Sequence, residues 1–263
     1  MIPVDLNCDA RGSADAPVLL LGGSLGTTLA MWDAQVPTLS ATHRVIRFDH
    51  RGHGGSPVPN GPYTIEDLGG DVLAMMDRLG IERASYVGLS IGGMVGQWIA
   101  IHAPERIDRL ILLCTAAYLP GATAAYRERA VAVRTAGTPA VVADAVVARW
   151  FTQSYAAAHP DVAQRYRTMI ASIDPEGYAG CCEAIAAMDL RDGLDRITAP
   201  TLVIAGAQDP AIGPEHGQAI AQAIPGARFE VMDPAAHLAN VERPDVVTTF
   251  ITGHLDRVRA PAP

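Results

Sequence analysis

A serine between two glycines, Gly88-x-Ser90-x-Gly92, is the stretch of this sequence best suited to covalent chemistry. An apolar run that predicts a strand, Ala84 to Leu89, precedes it, and a helical apolar run through Ile101 follows. A strand that turns at once into a helix strains its central residue and crowds the positions two before and two after it, which favours glycine at both. This spacing is typical of a nucleophile elbow, so we predict that Ser90 is a nucleophile.

A serine hydroxyl is a weak nucleophile and needs a base, which in turn needs an orienting acid. In enzymes with such an elbow, the acid and then the histidine follow the serine along the chain, in loops after strands. His237 lies directly after the last predicted strand, and Asp209 ends the loop after the strand before it. Asp195 precedes its strand and Asp233 is too near His237, so both are weaker alternatives. We predict a triad of Ser90, Asp209 and His237.

Two backbone amides are predicted to hold the oxyanion that forms on the attacked carbonyl. The N–H of Ile91 begins a helix, whose positive end favours a developing negative charge. The N–H of Leu25 lies in a glycine-rich loop, 22–26, that follows a buried strand. In the next loop, His50 and His53 are more consistent with holding that loop in place than with catalysis.

Strands and helices alternate along most of the chain, and the strands are continuous apolar runs. This pattern predicts an α/β class protein with a mostly parallel sheet covered by helices on both faces. Strands are predicted at 2–7, 17–21, 45–48, 84–89, 107–113, 200–205 and 228–232, and helices at 28–37, 64–79, 91–101, 213–223 and 238–255.

The alternation breaks after Ala116, and no convincing strand follows until Pro200. We therefore predict a core domain formed by residues 1–117 and 193–258, with a helical cap inserted at 118–192. Residues 259–263 are predicted to be a disordered tail.

Composition excludes several classes of protein. Hydrophobic residues make up 49% of the 263 residues and charged residues only 18%, and the net charge is −8. These values argue against a disordered chain and against nucleic acid or an anionic membrane as a partner. No apolar run reaches the roughly 18 residues of a membrane helix, and no basic-then-apolar leader is present. Four cysteines without zinc-site spacing predict reduced thiols, so a cytoplasmic protein is expected.

Several stretches together resemble the bacterial 3-oxoadipate enol-lactonases of the α/β-hydrolase superfamily. The stretches are Ser24-Leu25-Gly26-Thr27-Thr28, Met31-Trp32-Asp33, Arg51-Gly52-His53-Gly54, Gly61-Pro62-Tyr63-Thr64-Ile65, Gly88 to Trp98, His102 to Arg106, Asp174-Pro175-Glu176-Gly177-Tyr178 and Cys181-Cys182. The resemblance implies an α/β-hydrolase fold and hydrolysis of 3-oxoadipate enol-lactone to 3-oxoadipate in aromatic-compound catabolism. It also carries the triad over to Ser90, Asp209 and His237. Two features depart from the family: the first sheet strand is expected to be missing or very short, and Gly22-Gly23 stands where a more polar pair is common.

Substrate contacts are expected from both sides of the nucleophile. Trp150 is predicted to face the site from the cap, with Trp32 and Met94 below it. Because the net charge of −8 repels an anion, a local cation must bind the substrate carboxylate. The cap arginines are the candidates, and we favour Arg134, which precedes a predicted helix end at Gly137. The other cap arginines are Arg127, Arg129, Arg149, Arg165 and Arg167.

The predicted chemistry needs no metal and no organic cofactor. The expected partner is a small anionic lactone, with no nucleic acid and no membrane, and the oligomeric state stays open. Two other enzyme classes share these features: a general esterase or perhydrolase, and a hydrolase of carbon–carbon bonds. A ligand receptor on a hydrolase fold is the alternative outside catalysis, and it is disfavoured because a pure binder has no need of Asp209.

Overall fold

A seven-stranded sheet runs through the part of the chain that the computed structural model describes, residues 2–256. Its strands are β1 (Cys8–Arg11), β2 (Val18–Gly22), β3 (Arg44–Phe48), β4 (Ala84–Leu89), β5 (Ile107–Leu113), β6 (Thr201–Gly206) and β7 (Arg228–Met232). In space they follow the order β1-β3-β2-β4-β5-β6-β7. Strand β1 pairs antiparallel with β3 at one edge, and all the other neighbours are parallel.

Helices cover both faces of this sheet. They are α1 (Val36–Leu39), α2 (Ile65–Arg78), α3 (Ile91–His102), α4 (Ala122–Ala136), α5 (Ala140–Val147), α6 (Gln153–Ala158), α7 (Pro160–Ala171), α8 (Pro175–Ala187), α9 (Pro214–Ala223), α10 (Ala239–Glu242) and α11 (Pro244–Leu255). Short 3₁₀ helices span Leu29–Trp32, Pro104–Arg106 and Arg191–Arg196.

Local sequence explains why the central elements form where they do. Strands β4 and β6 are buried along their whole length, as expected for continuous apolar runs between two helical layers. Helix α2 begins with a capping box: the Asp67 amide donates to Thr64 Oγ1 at 3.1 Å, and the Thr64 amide donates to Asp67 Oδ2 at 2.9 Å. The predicted parallel α/β sheet is therefore confirmed.

The parallel pairing of β2, β4, β6 and β7 brings the loops that follow them to one edge of the sheet. Those loops carry the four positions predicted for chemistry: Leu25, Ser90, Asp209 and His237. This edge, at the carboxyl ends of the strands, is where open α/β sheets bind their ligands.

Helices α4 to α8 lie between β5 and β6, and this insertion coincides with the cap predicted at 118–192. Helix α4 packs on α8, and α5 packs on α7. The insertion is tied to the sheet domain by a backbone hydrogen bond from the Leu238 amide to the Trp150 carbonyl, at 2.9 Å. The division into a core and a cap as separate domains stays a prediction.

Three predicted elements differ in the structure. The first strand is Cys8–Arg11 rather than 2–7, because the amides of Val4 and Asn7 donate to side chains of other loops. The helix predicted at 28–37 is instead a 3₁₀ turn followed by the short α1. The helix predicted at 238–255 breaks between α10 and α11, because Pro244 has no amide proton to continue the first of them.

The predicted tail, 259–263, lies outside the described residues. Within residues 2–256, no helix combines the length and the apolar character needed to cross a bilayer.

Candidate active site

Ser90 occupies a strained turn between β4 and α3. Its φ of 58° and ψ of −119° are rare for a residue with a side chain. Such strain persists only where the surroundings enforce it, and here two glycines make the turn possible. A Cβ added to Gly88 would lie 2.3 Å from the Gly92 carbonyl oxygen, and one added to Gly92 would lie 2.4 Å from the Gly22 oxygen. The elbow predicted from the sequence is present, with its serine at the tip.

His237 and Asp209 form a buried hydrogen-bonded pair. The His237 Nδ1 lies 2.8 Å from Asp209 Oδ2, and neither side chain is more than 4% exposed. The other carboxylate oxygen, Oδ1, accepts hydrogen bonds from the amides of Ala211 at 2.7 Å and Ile212 at 3.0 Å. Because an ionised carboxylate can only accept, the Nδ1 proton points to Asp209 and leaves Nε2 unprotonated, ready to accept a proton.

The two weaker acid candidates do not contact His237. Asp233 accepts a hydrogen bond from Gln208 Nε2 at 3.2 Å and is exposed. Asp195 is exposed in the 3₁₀ helix before β6, on the opposite side of that strand from its catalytic loop. Of the three acids considered, Asp209 therefore orients the histidine.

The predicted oxyanion amides lie in two segments that are bonded to each other. The Gly92 amide, one residue after Ile91, donates to the Gly23 carbonyl at 3.0 Å, which places the Leu25 loop beside the start of α3. Within the described chain, neither the Leu25 nor the Ile91 amide donates a hydrogen bond. Both are thus available to an incoming oxygen, as an oxyanion hole requires.

Two buried histidines hold the loop that carries Leu25. His50 Nε2 donates to the Gly23 carbonyl at 3.1 Å, and the Gly26 amide donates to His53 Nε2 at 3.0 Å. Burial lowers the pKa of His50 to about 3 and that of His53 to about 4, so both rings are neutral near pH 7. The sequence indicated that these residues hold a loop, but it did not show that the loop is the one with the oxyanion amide.

A small cavity of about 30 Å³ lies beneath the cap, beside Ser90 and His237. Its wall contains Ser90 and His237 together with side chains of the cap. The full lining is Ser24, Leu25, Ser90, Tyr126, Arg129, Val146, Arg149, Trp150, Tyr178, Ala211 and His237. Trp150 thus lies in the wall of the cavity, and its contact with a substrate stays a prediction.

Trp32 and Met94 do not line this cavity, which corrects their assignment to the site. Both side chains are fully buried. Met94 is one turn into α3, where its amide bonds to the Ser90 carbonyl at 3.1 Å and its side chain joins the core. Met31, not Trp32, reaches the oxyanion loop, where its sulfur accepts from the Ser24 amide at 3.2 Å.

Arg134 is also absent from the cavity wall, and its assignment to the substrate carboxylate is wrong. Its Nε lies 2.7 Å from Glu176 Oε2, and its Nη1 lies 2.6 Å from Glu183 Oε1. The hydrogen bond from Arg134 lowers the pKa of the Glu176 carboxyl, so that pair is fully ionised. Two carboxylates of α8 accept from four of the five guanidinium N–H groups, which leaves no pair of donors for bidentate binding of a substrate carboxylate.

Two other cap arginines do line the cavity. Arg149 is exposed and donates to the backbone carbonyl of Pro210 at 3.1 Å, which joins the cap to the Asp209 loop. Arg129 is half-buried, with its guanidinium 4.9 Å from the centre of the Tyr126 ring. Both were among the cap arginines considered from the sequence, and nothing local in the sequence distinguished them from Arg134.

One further buried acid was not identified from the sequence. Glu242, in α10, accepts hydrogen bonds from the Ala236 amide at 3.1 Å and from the Thr152 amide at 3.3 Å. The Thr152 hydroxyl also donates to it. Glu242 therefore joins the residue before His237 to the first turn of cap helix α6.

Comparisons with known proteins agree with this geometry. A family model described as the alpha/beta hydrolase fold matches residues 16–244. The chain is 44% identical over 255 residues to 3-oxoadipate enol-lactonase 2 from Acinetobacter baylyi, covering 97% of this chain and 94% of that one. The crystal structure of the enol-lactonase from Burkholderia xenovorans LB400 is also 44% identical, with a TM-score of 0.93 and 97% of both chains covered.

A second solved structure is similar over almost the same length. It is a thermophilic esterase from Thermogutta terrifontis with malate bound, which is 34% identical. Its TM-score is 0.89, and 96% of this chain and 93% of that chain are covered. The elbow serine, the buried acid–histidine pair and these similarities lead to one assignment: the chain belongs to the α/β-hydrolase fold family, in the part of it that contains the 3-oxoadipate enol-lactonases.

Proposed function

We propose that this protein is a serine hydrolase that opens 3-oxoadipate enol-lactone to 3-oxoadipate through an acyl-enzyme on Ser90. The observation that carries the proposal is the placement of Ser90 and the Asp209–His237 pair around one cavity, in a chain 44% identical to enol-lactonases over nearly its full length. The proposed setting is the catabolism of aromatic compounds, in which such lactones arise.

In the first half of the reaction, His237 Nε2 takes the proton of Ser90 Oγ as that oxygen attacks the lactone carbonyl carbon. The amides of Leu25 and Ile91 donate to the carbonyl oxygen as it becomes negative, and each such donor contributes roughly 3 to 4 kcal/mol to the transition state. The ring C–O bond then breaks. Its oxygen leaves as an enolate, which takes the proton from the His237 imidazolium and tautomerises to the ketone of the opened chain, so that His237 is neutral again.

In the second half, His237 deprotonates a water molecule, which attacks the acyl carbon held on Ser90. The bond to Ser90 Oγ breaks, the serine regains its proton from His237, and the product leaves with a new carboxylate. Asp209 keeps its hydrogen bond to Nδ1 throughout and stabilises the imidazolium that forms in each half. An enolate is a comparatively good leaving group, so ring opening needs only modest acid assistance.

The core and the cap divide this work in our proposal. Residues 1–117 and 193–258 supply the nucleophile, acid, base and oxyanion amides, while the cap at 118–192 covers the cavity and contacts the substrate. The cap supplies Tyr126, Arg129, Val146, Arg149, Trp150 and Tyr178 to the cavity wall. The esterase from Thermogutta terrifontis has malate, a dicarboxylate, bound, which agrees with a substrate that carries a carboxylate.

A general esterase is the second candidate function, favoured because the malate-bound relative is an esterase. Steady-state kinetics on purified protein distinguishes the two. Hydrolysis of the enol-lactone is followed by its loss of ultraviolet absorbance. We expect kcat/KM for the enol-lactone to exceed that for neutral nitrophenyl acetate by about 100-fold or more, because only the lactone fits both the triad and the cap. Ser90→Ala must abolish both activities. Comparable efficiency on both substrates would favour the esterase.

We also propose that the enzyme acts in the cytoplasm. The support is that Cys8, Cys114, Cys181 and Cys182 are all free thiols in the described chain. Fractionation of the cells that express it, with activity as the readout, tests this location.

A further inference from the structure

One wall of the active-site cavity carries a positive charge that no acidic side chain of residues 2–256 neutralises. Arg129 lines the cavity together with Ser90, and within the described residues its guanidinium forms no ion pair. The Cζ atom of Arg129 lies 4.9 Å from the centre of the Tyr126 ring. A half-buried cation without a carboxylate is costly unless a ligand supplies the opposite charge.

The other cap arginines are committed to different partners or are exposed to water. Arg165 pairs with Asp33 at 3.0 Å, Arg167 pairs with Asp144 at 2.6 Å, and Arg149 donates to backbone carbonyls. Arg134 is held by two glutamates, and Arg127 is exposed on α4. Among these residues, Arg129 is the one that is both half-buried and directed at the cavity.

A buried hydroxyl beside Arg129 provides independent evidence for a ligand. The Tyr178 side chain is fully buried and lines the same cavity. The hydroxyl meets no strict hydrogen-bond geometry within the described chain, but it lies close enough to the Arg129 guanidinium to accept a hydrogen bond from it. Burial raises the pKa of Tyr178, so the hydroxyl keeps its proton and can donate it. A guanidinium can only donate, so the proton of the Tyr178 hydroxyl still lacks an acceptor, and a ligand that accepts hydrogen bonds would supply one.

We propose that Arg129 and Tyr178 form a carboxylate-binding subsite, so that the cavity selects esters and lactones that bear a free carboxylate away from the reacting carbonyl. This inference rests on the proposed function, because it assumes hydrolysis at Ser90. The guanidinium fork binds one or both carboxylate oxygens, and the Tyr178 hydroxyl donates to one of them. A protein of net charge −8 repels anions at long range, so a cation inside the cavity is what makes an anionic substrate acceptable.

The test compares an anionic and a neutral substrate of the same shape: the enol-lactone acid and its methyl ester. The variants are Arg129→Gln and Tyr178→Phe, with Arg127→Gln as the matched control, because it removes the same charge from the exposed side of the same helix. We expect Arg129→Gln to lower kcat/KM for the acid by about 100-fold and Tyr178→Phe to lower it by about tenfold. The methyl ester should change less than about threefold in both variants, and Arg127→Gln should resemble the wild type.

The outcomes separate this inference from the proposed function. If the wild-type enzyme hydrolyses the enol-lactone no better than nitrophenyl acetate, the proposed function fails, whatever the variants show. If the wild type prefers the lactone but Arg129→Gln slows the acid and the methyl ester equally, the subsite is disproved and the arginine is structural. An equal loss in Arg127→Gln and Arg129→Gln also overturns the subsite, because it would show only a long-range charge effect.

Discussion

The amide of Gly26 donates a hydrogen bond to the Nε2 of His53, 27 residues later in the chain, at 3.0 Å. The other ring nitrogen, Nδ1, donates to the Arg51 carbonyl at 3.2 Å, so the ring is neutral with its proton on Nδ1. Gly26 directly follows Leu25, whose amide is the second donor of the proposed oxyanion hole. His53 is therefore a positioning residue for that hole, although it does not line the cavity.

Replacing His53 by phenylalanine should lower kcat and leave KM nearly unchanged. The variant deprives the Gly26 amide of its acceptor and lets the Leu25 amide drift, which weakens an interaction that matters only in the transition state. We expect kcat to fall by about 10- to 100-fold. His53→Gln should recover much of it, because its side-chain oxygen can accept the same hydrogen bond. The control is His102→Phe, an exposed histidine on α3. A matched rise in KM, or no rescue by glutamine, would argue against a role in the oxyanion hole.

The same histidine should make the folded protein sensitive to acid. Burial lowers the pKa of His53 to about 4, opposed by its hydrogen bond to Arg51 and by the charge of Asp49. Between pH 6.5 and about 4 the unfolded chain therefore binds a proton that the folded chain refuses, so the free energy of unfolding falls as the pH falls through this window. The contribution of neutral His53 to the free energy of unfolding is complete above pH 6.5 and is fully lost below about pH 4.

Urea unfolding at several pH values measures this effect. His53→Gln cannot titrate, so its unfolding free energy should decline less steeply on acidification, by roughly 3 kcal/mol over the window. Burial and the charge of His53 lower the pKa of His50 to about 3, so His50 contributes a similar decline in both proteins and a slightly smaller one in the variant. If the unfolding free energies of the wild type and the variant decline in parallel as the pH falls, His53 is not the group responsible for the acid sensitivity.

The reacting groups could be predicted from the sequence because their signals are local. The elbow at Ser90, the buried strands, and the loops that hold Asp209 and His237 are each encoded within about ten residues. Arg129 and Arg134 show where local information ends. The two arginines are five residues apart on α4, so their side chains point about 140° apart around the helix axis. Only the packing of α4 on α8 decides which of them faces the cavity. The contact of Glu242 with Thr152, 90 residues away, has no local signal at all.

Glu242 should be required for both stability and turnover, because it joins the catalytic loop to the cap. One of its oxygens accepts from the amides of Ala236 and Thr152, and the other accepts from the Thr152 hydroxyl. Glu242→Met keeps the volume but leaves two buried amides without an acceptor, which should cost about 2 to 5 kcal/mol of unfolding free energy. Ala236 precedes His237 in the chain, so the loss should also misplace the base and lower kcat/KM by about tenfold or more.

The conservative variant separates hydrogen bonding from charge at this position. In Glu242→Gln the amide oxygen can face the two backbone donors while the amide nitrogen donates to the Thr152 hydroxyl, so we expect most of the stability and activity to remain. The control is Glu215→Met, an exposed acid at the start of α9. A double-mutant cycle of Glu242→Met and Thr152→Val, measured by urea unfolding, should show a coupling energy of about 1 to 2 kcal/mol. If Glu242→Met folds as stably as the wild type and keeps its kcat/KM, this carboxylate does not position His237.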